Sequence, residues 1–112
     1  MPEAFHVYIL ASNNRRTLYI GVTNSLSMRL QQHREQAGEG FAARYHVMQL
    51  VYHETYADSR DAIAREKQLK GWRRAKKIAL IEQMNPGWHD LSAEILEQRP
   101  RIDEPLAAEE MT

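Results

Sequence analysis

The chain has no cysteine, which excludes both a disulfide framework and any thiolate metal centre. No apolar run approaches the ~20 residues that a helical membrane span needs, and Met1-Pro2-Glu3-Ala4-Phe5 carries no basic leader. These absences predict a soluble, cytoplasmic protein without a membrane partner. The five glycines form no phosphate-cradling loop, so nucleotide binding of the P-loop or dinucleotide type is not expected. Histidine lacks zinc spacing, and no Gly-x-Ser-x-Gly elbow occurs. There is no internal repeat and no low-complexity tract. With two Trp and two Phe in 112 residues, the chain can bury one modest core.

An excess of one charge is also missing overall, since 15 basic residues balance 15 acidic ones. The balance is uneven along the chain. Residues 97–112 hold five acids against Arg99 and Arg101, a net of −3. With Pro100 and Pro105 among them, they predict a disordered acidic tail, leaving 1–96 as the folded domain. Residues 60–77 hold eight basic side chains against Asp61 and Glu66, a net of +6. A local basic block points to a polyanionic partner, although a solvated helix face is the plainer alternative.

The stretch from His6 to His33 organises the rest. His6 to Ala11 alternates with β-branched and aromatic residues and predicts a strand, with His6, Tyr8 and Leu10 on one side and Val7, Ile9 and Ala11 on the other. Ser12-Asn13-Asn14-Arg15-Arg16 predicts a turn, and Thr17 to Val22 a second strand, giving a β-hairpin. An even loop puts Tyr8 and Tyr19 on one face and Ile9 and Ile20 on the other, whereas an odd loop separates the tyrosines. Asn24 or Ser25 can cap a helix in which Leu26 and Leu30 face the sheet and Arg29 and His33 sit one turn apart. A loop over 37–40 and a connector over 41–46 lead to a third strand, Val47 to Tyr56. Plain alternation there places Leu50 and Tyr52 on one side and Val51 on the other. Asp58 or Ser59 caps a second helix to about Lys70, with Ala62, Ile63 and Leu69 as its apolar stripe and Glu66 in the middle of it. A carboxylate on an apolar face is the kind of local inconsistency that marks a site. Gly71-Trp72 breaks this helix, Arg73 to Met84 forms another that buries Ile78, Ile81 and Ala75, and Asn85-Pro86-Gly87 stops it. A short last helix falls within Trp88 to Leu96. The order β-β-α-β-α-α predicts an α+β fold, a small three-stranded antiparallel sheet flanked by helices.

Taken singly, Tyr8 and Tyr19 read as packing residues, Arg29 as an ion-pair partner and His33 as a satisfied histidine. Together they match the needs of phosphodiester hydrolysis. A tyrosine can relay a proton or hold the attacking water, an arginine fork matches phosphate oxygens, and one glutamate can anchor a hydrated Mg²⁺. The basic block would hold the nucleic-acid backbone.

In these residues the chain resembles the GIY-YIG nuclease family, and its short stand-alone bacterial members most of all. The first motif stands as His6-Val7-Tyr8, with His6 where the family usually has glycine; the second is intact as Tyr19-Ile20-Gly21. Arg29, ten residues after Tyr19, matches the family arginine, His33 the group one turn later, and Glu66 the metal-binding glutamate, inside Ala64-Arg65-Glu66-Lys67-Gln68-Leu69-Lys70. Val22-Thr23 stands where several members carry lysine, and Asn85 is the available counterpart of a late active-site asparagine. The resemblance implies one-step, Mg²⁺-dependent (or Mn²⁺-dependent) attack of water on a DNA phosphodiester. Tyr19 would accept the proton, Tyr8 orient water or phosphate, Arg29 stabilise the transition state, Glu66 hold the metal, and His33 assist. Gly21, Lys67, Lys70, Arg73, Arg74, Lys76 and Lys77 are the residues expected at the nucleic acid, with DNA as the partner and RNA left open. The expected setting is DNA repair or the processing of unusual DNA structures. The alternatives are a non-catalytic nucleic-acid-binding module on the same fold, or a protein-interaction domain using the acidic tail.

Overall fold

A computed structural model of the protein describes residues 4–36 and 48–97, with the side chains of 33–36, 48 and 97 outside that description. The expected loop and connector over 37–46 and the tail after Glu97 therefore lie outside the described residues. Strand β1 (Phe5–Ser12) and strand β2 (Leu18–Thr23) form the hairpin, followed by helix α1 (Leu26–Gln36), strand β3 (Met48–Tyr56) and helices α2 (Ser59–Lys70), α3 (Arg74–Met84) and α4 (Ser92–Glu97). The three strands make one antiparallel sheet in the order β2-β1-β3, so the predicted α+β class holds.

The hairpin takes the even-loop register. Tyr8 lies opposite Gly21, Ile9 opposite Ile20 and Leu10 opposite Tyr19. Alternation then sends two sets of side chains to opposite faces. Tyr8 and Leu10 pack with Leu26, Leu30 and Leu50, and Leu91, with Ile95 and Leu96 of α4, closes this core. Val7, Ile9, Ala11 and Ile20 pack on the other side with Ala62 and Leu69 of α2, Ile81 of α3 and Trp88. Each of these fully buried aliphatic side chains stabilises the fold by roughly 1.5–3 kcal/mol relative to exposure.

Strand β3 departs from plain alternation. The register slips between Ile9 and Leu10, so Ile9 faces Tyr52 while Leu10 faces Leu50. The extra residue is a β-bulge. Consecutive residues Val51 and Tyr52 both enter the α2-side core, and Leu50 enters the α1-side core. The expected pairing of Leu50 with Tyr52 on one face is thus corrected. Two further expectations also change. Ile63 is 41% exposed rather than part of the buried stripe, and Ala75 is exposed at the start of α3.

Asp58 caps α2 by accepting from the Arg60 backbone N–H at 2.8 Å. Asn85 ends α3, and its buried side-chain amide is fully engaged. Its Nδ2 donates to the carbonyls of Val51 (3.1 Å) and His89 (2.8 Å), and its Oδ1 accepts from the His89 N–H. This clamp holds Trp88 in the left-handed region, φ 56°. Among the described residues, no helix is long and apolar enough to cross a membrane.

Candidate active site

Tyr8 and Gly21 make the floor of the site. The Tyr8 side chain is fully buried, and its hydroxyl lies over the backbone of Gly21. A Cβ at position 21 would sit 2.4 Å from Tyr8 Oη, so the second motif ends in glycine because the tyrosine of the first occupies that space. Arg29 reaches across from α1, where Leu26 and Leu30 bury the adjoining stripe, and donates from Nε to Tyr8 Oη at 3.0 Å. Its Nη1 donates to Gln32 Oε1 at 3.4 Å. Burial pushes the Tyr8 phenol up, the Arg29 hydrogen bond pulls against it, and the net lies above the ordinary tyrosine value. Tyr8 therefore keeps its proton at neutral pH.

Tyr19 joins this pair from β2. Its ring lies 6.2 Å from that of Tyr8, tilted by 44°, close enough for its hydroxyl to act on the Tyr8 phenol and the Arg29 guanidinium, raising both pKa values. It is 42% exposed, so of the two phenols it is the one a substrate can touch.

Helix α2 packs on the other face of the sheet, yet its last turns reach the tyrosines. Glu66 Oε2 pairs with Lys70 Nζ at 2.9 Å, the carboxylate 15% exposed and the ammonium 55%. The Glu66 contact raises the Lys70 pKa, with smaller contributions from Tyr19 and Tyr8. The Glu66–Lys70 turn therefore lies within electrostatic reach of the phenols, where α2 passes the β2 edge. Tyr8, Tyr19, Arg29 and Gly21 thus share one neighbourhood, and Glu66 is joined to it through Lys70, which feels the charge of both phenols. The His33 side chain lies outside the described residues. Lys76 sits over the Trp72 ring at 4.2 Å, and Arg74 bonds the backbone of the hairpin loop; neither is at the tyrosine pair. Lys67, Arg73 and Lys77 make no ion pair among the described residues.

Glu66 is the carboxylate of this neighbourhood, and no group of three or more metal-binding His, Asp or Glu side chains occurs among the described residues. Such a donor set fits a hydrated divalent ion held by one carboxylate and completed by water and substrate phosphate. It does not fit an ion caged by protein.

Two groups escaped the sequence reading. His53 lies opposite Tyr8, beside His6, and its buried Nδ1 has no hydrogen-bond partner among the described residues. Burial holds both imidazoles below the usual histidine value. His6 Nδ1 meets Thr55 Oγ1 at 3.2 Å. The second group is a saturated carboxylate. Glu54 accepts from Tyr52 Oη, from Tyr56 Oη (2.6 Å) and from Arg65 Nε and Nη2 (3.0 and 2.9 Å). The spacing of Tyr52, Glu54 and Tyr56, all on one strand parity, was the available signal. Burial pushes the Glu54 carboxyl up, but the hydrogen bonds from Arg65, Tyr52 and Tyr56 outweigh it and hold the net below the ordinary value. Arg65 also covers the Trp72 ring at 5.1 Å.

Comparison with known proteins gives the family and the fold. The sequence model of the GIY-YIG catalytic domain matches residues 4–79. A UPF0213 protein of Bacillus pumilus (strain SAFR-032) is 38% identical over 84 residues, which cover 75% of this chain and 86% of that protein. A UPF0213 protein of Oceanobacillus iheyensis is 32% identical over 82 residues, 73% of this chain and 94% of its own length. The relatives are thus short chains like this one. The solution NMR structure of a UPF0213 protein from Bacillus halodurans shares the fold, with a TM-score of 0.52 at 21% identity, covering 80% of this chain and 94% of that one.

Proposed function

The chain belongs to the GIY-YIG family, and from that premise we propose that it is a small Mg²⁺-dependent (or Mn²⁺-dependent) endonuclease that hydrolyses DNA phosphodiester bonds. Residues 1–96 form the catalytic unit and 97–112 an acidic tail. We place its work in the cytoplasm, in repair or the processing of unusual DNA structures. The observation that carries this reading is the convergence of Arg29, Tyr8 and Tyr19 beside the Glu66–Lys70 turn.

The roles follow from the environments. Tyr19, partly exposed, holds the attacking water and relays its proton, accepting it at Oη as the phenol's own proton passes to solvent, while Tyr8, buried and held protonated, fixes the Arg29 guanidinium through Nε. With Nε so fixed, the Nη groups of Arg29 are left to meet phosphoryl oxygens and the charge that grows on them. Glu66 would hold the divalent cation, which supplies positive charge to the phosphoryl and leaving oxygens. Lys70 adds a cation at the same edge, and His33 assists from one turn beyond Arg29. Water attacks phosphorus directly as the phosphorus bond to the leaving sugar oxygen breaks, and that oxygen takes a proton from solvent, so no covalent intermediate with the protein forms.

A second reading, a nucleic-acid-binding module without catalysis, has one observation in its favour: Glu66 is already neutralised by Lys70. Supercoiled, branched and single-stranded DNA incubated with Mg²⁺, Mn²⁺ or EDTA separates the two. Metal-dependent cleavage by the wild type that is lost in Glu66→Ala and in Arg29→Ala supports the nuclease. Equal background nicking by all three proteins, with salt-sensitive DNA binding, leaves the binding module.

A further inference from the structure

The β1–β2 hairpin loop carries two arginines that lie outside the basic block of residues 60–77, and the fold brings them to it. Arg74, in the first turn of α3, donates from Nη1 to the Arg16 carbonyl at 2.9 Å and from Nη2 to the Arg15 carbonyl. The loop is rigid in its own right. Ser12 N–H donates to Thr17 O at 3.0 Å, Arg15 N–H to Ser12 O at 2.8 Å and Arg16 N–H to Asn14 Oδ1 at 3.0 Å, with Arg15 at φ 62°. The Arg15 guanidinium lies over the Trp88 ring at 5.0 Å and reaches the Gly87 carbonyl at 3.5 Å. Arg16 and Arg73 are exposed, and no carboxylate pairs with Arg15, Arg16, Arg73 or Arg74 among the described residues. Elsewhere Arg60, Arg65 and Lys70 each have an acidic partner. Four guanidinium groups gathered without a counter-ion repel one another, and a polyanion relieves that repulsion.

The chain leads from this patch to the candidate site along two elements. Lys70 lies within reach of Tyr19, Arg73 follows it by three residues, and Arg16 precedes Tyr19 by three along the hairpin. Three extended residues span about 10 Å, which equals the rise of roughly three nucleotides at 3.4 Å each. We propose that the hairpin loop is a second phosphate-binding element: Arg16 and Arg73 grip the nucleic-acid backbone about three nucleotides from the phosphate at Tyr19, and Arg74 positions the loop rather than touching the nucleic acid. The distance from the cleaved phosphate rests on the nuclease reading; the contact itself does not.

The full-length protein is titrated against a fluorescein-labelled DNA duplex between about 50 and 200 mM salt. Arg16→Ala/Arg73→Ala should weaken binding roughly 10- to 100-fold at the middle of that range and flatten the slope of log K against log salt by about 1.8, two contacts at ~0.9 each, with an unchanged melting temperature. Arg74→Ala should weaken binding together with a lowered melting temperature. An unchanged slope in the double variant overturns the proposal even if the wild type cleaves DNA, as does absence of salt-dependent binding by the wild type. Loss of one slope unit in Arg74→Ala at constant melting temperature overturns the positioning role. A flattened slope in the double variant of a protein that cleaves nothing upholds the contact and removes the nuclease reading.

Discussion

Tyr52, Tyr56, Arg65 and Glu54 are the same four side-chain types as Tyr8, Tyr19, Arg29 and Glu66, and the two sets are wired in opposite ways. On the β3 edge the glutamate sits at the centre. Both hydroxyls and the guanidinium fork point at one carboxylate, and every strong acceptor site is filled. On the α1 side the arginine sits at the centre. Arg29 meets the two phenols, and the glutamate is held apart with Lys70. The first set cancels its charges internally and fastens α2 to β3. The second leaves a guanidinium without a carboxylate partner among the described residues, next to an exposed phenol. Residue type does not separate a fastening from a reaction centre; the pattern of who neutralises whom does.

The largest expected effect tests that contrast directly. Arg29→Ala and Glu66→Ala should each lower the cleavage rate by about 10²–10³, the usual cost of losing one transition-state contact, and leave the thermal melting curve nearly unchanged. Arg65→Ala should do the reverse. It strands the Glu54 carboxylate and should cost about 2–4 kcal/mol in urea denaturation, with cleavage by the folded fraction preserved. A loss of turnover in Arg65→Ala without a loss of stability would erase the distinction between the two sets. Gly21→Ala comes next. Its Cβ forces the Tyr8 hydroxyl off its seat, which should cost about 1–3 kcal/mol by overpacking and cut cleavage by misplacing Arg29.

The smallest effect is a pH dependence. Glu54 is held below its ordinary value in the fold, so the unfolded chain binds its proton more readily. The stabilisation is complete above the ordinary carboxylate range, near pH 4.5, and is lost as pH falls through the depressed folded value. Glu54→Gln should flatten the acid limb of stability against pH, as read by urea midpoints from pH 6 to pH 3. An acid limb identical to the wild type would show that the cluster does not carry its charge through folding.

Much of this architecture is legible along the chain because it is local. The hairpin follows from two alternating runs about a turn, with its register one of the two that the loop allows, the α1 stripe from helical spacing, and the Asp58-or-Ser59 cap and Asn85 stop from side chains acting on neighbouring backbone. Glu66 stood out because it interrupts an apolar stripe. Its Lys70 partner is one helical turn away, although the charge count had assigned Lys70 to nucleic acid alone. The Glu54–Arg65 pair was not legible, since its members lie eleven residues apart on different elements and meet only after α2 docks. The fastening of Arg74 to the hairpin loop spans 58 residues and leaves no periodic trace. Ile63 looked like a core residue because its spacing is right, and only the angle at which α2 meets the sheet leaves it in solvent.

The bulge in β3 makes this strand behave like a text with one inserted letter. Before it, through Leu50, the even-numbered residues point into the α1 core; after it, from Tyr52 onward, the even-numbered residues point to the α2 side, with Val51 as the inserted letter. A pattern-based alignment that keeps one phase through the strand misassigns every inward residue on one side of the insertion. Deleting Val51 would therefore erase the inserted letter and not the message. Leu50 and Tyr52 would become neighbours, still opposite Leu10 and Ile9, so each would keep its own face and only the Val51 side chain would leave the α2 core.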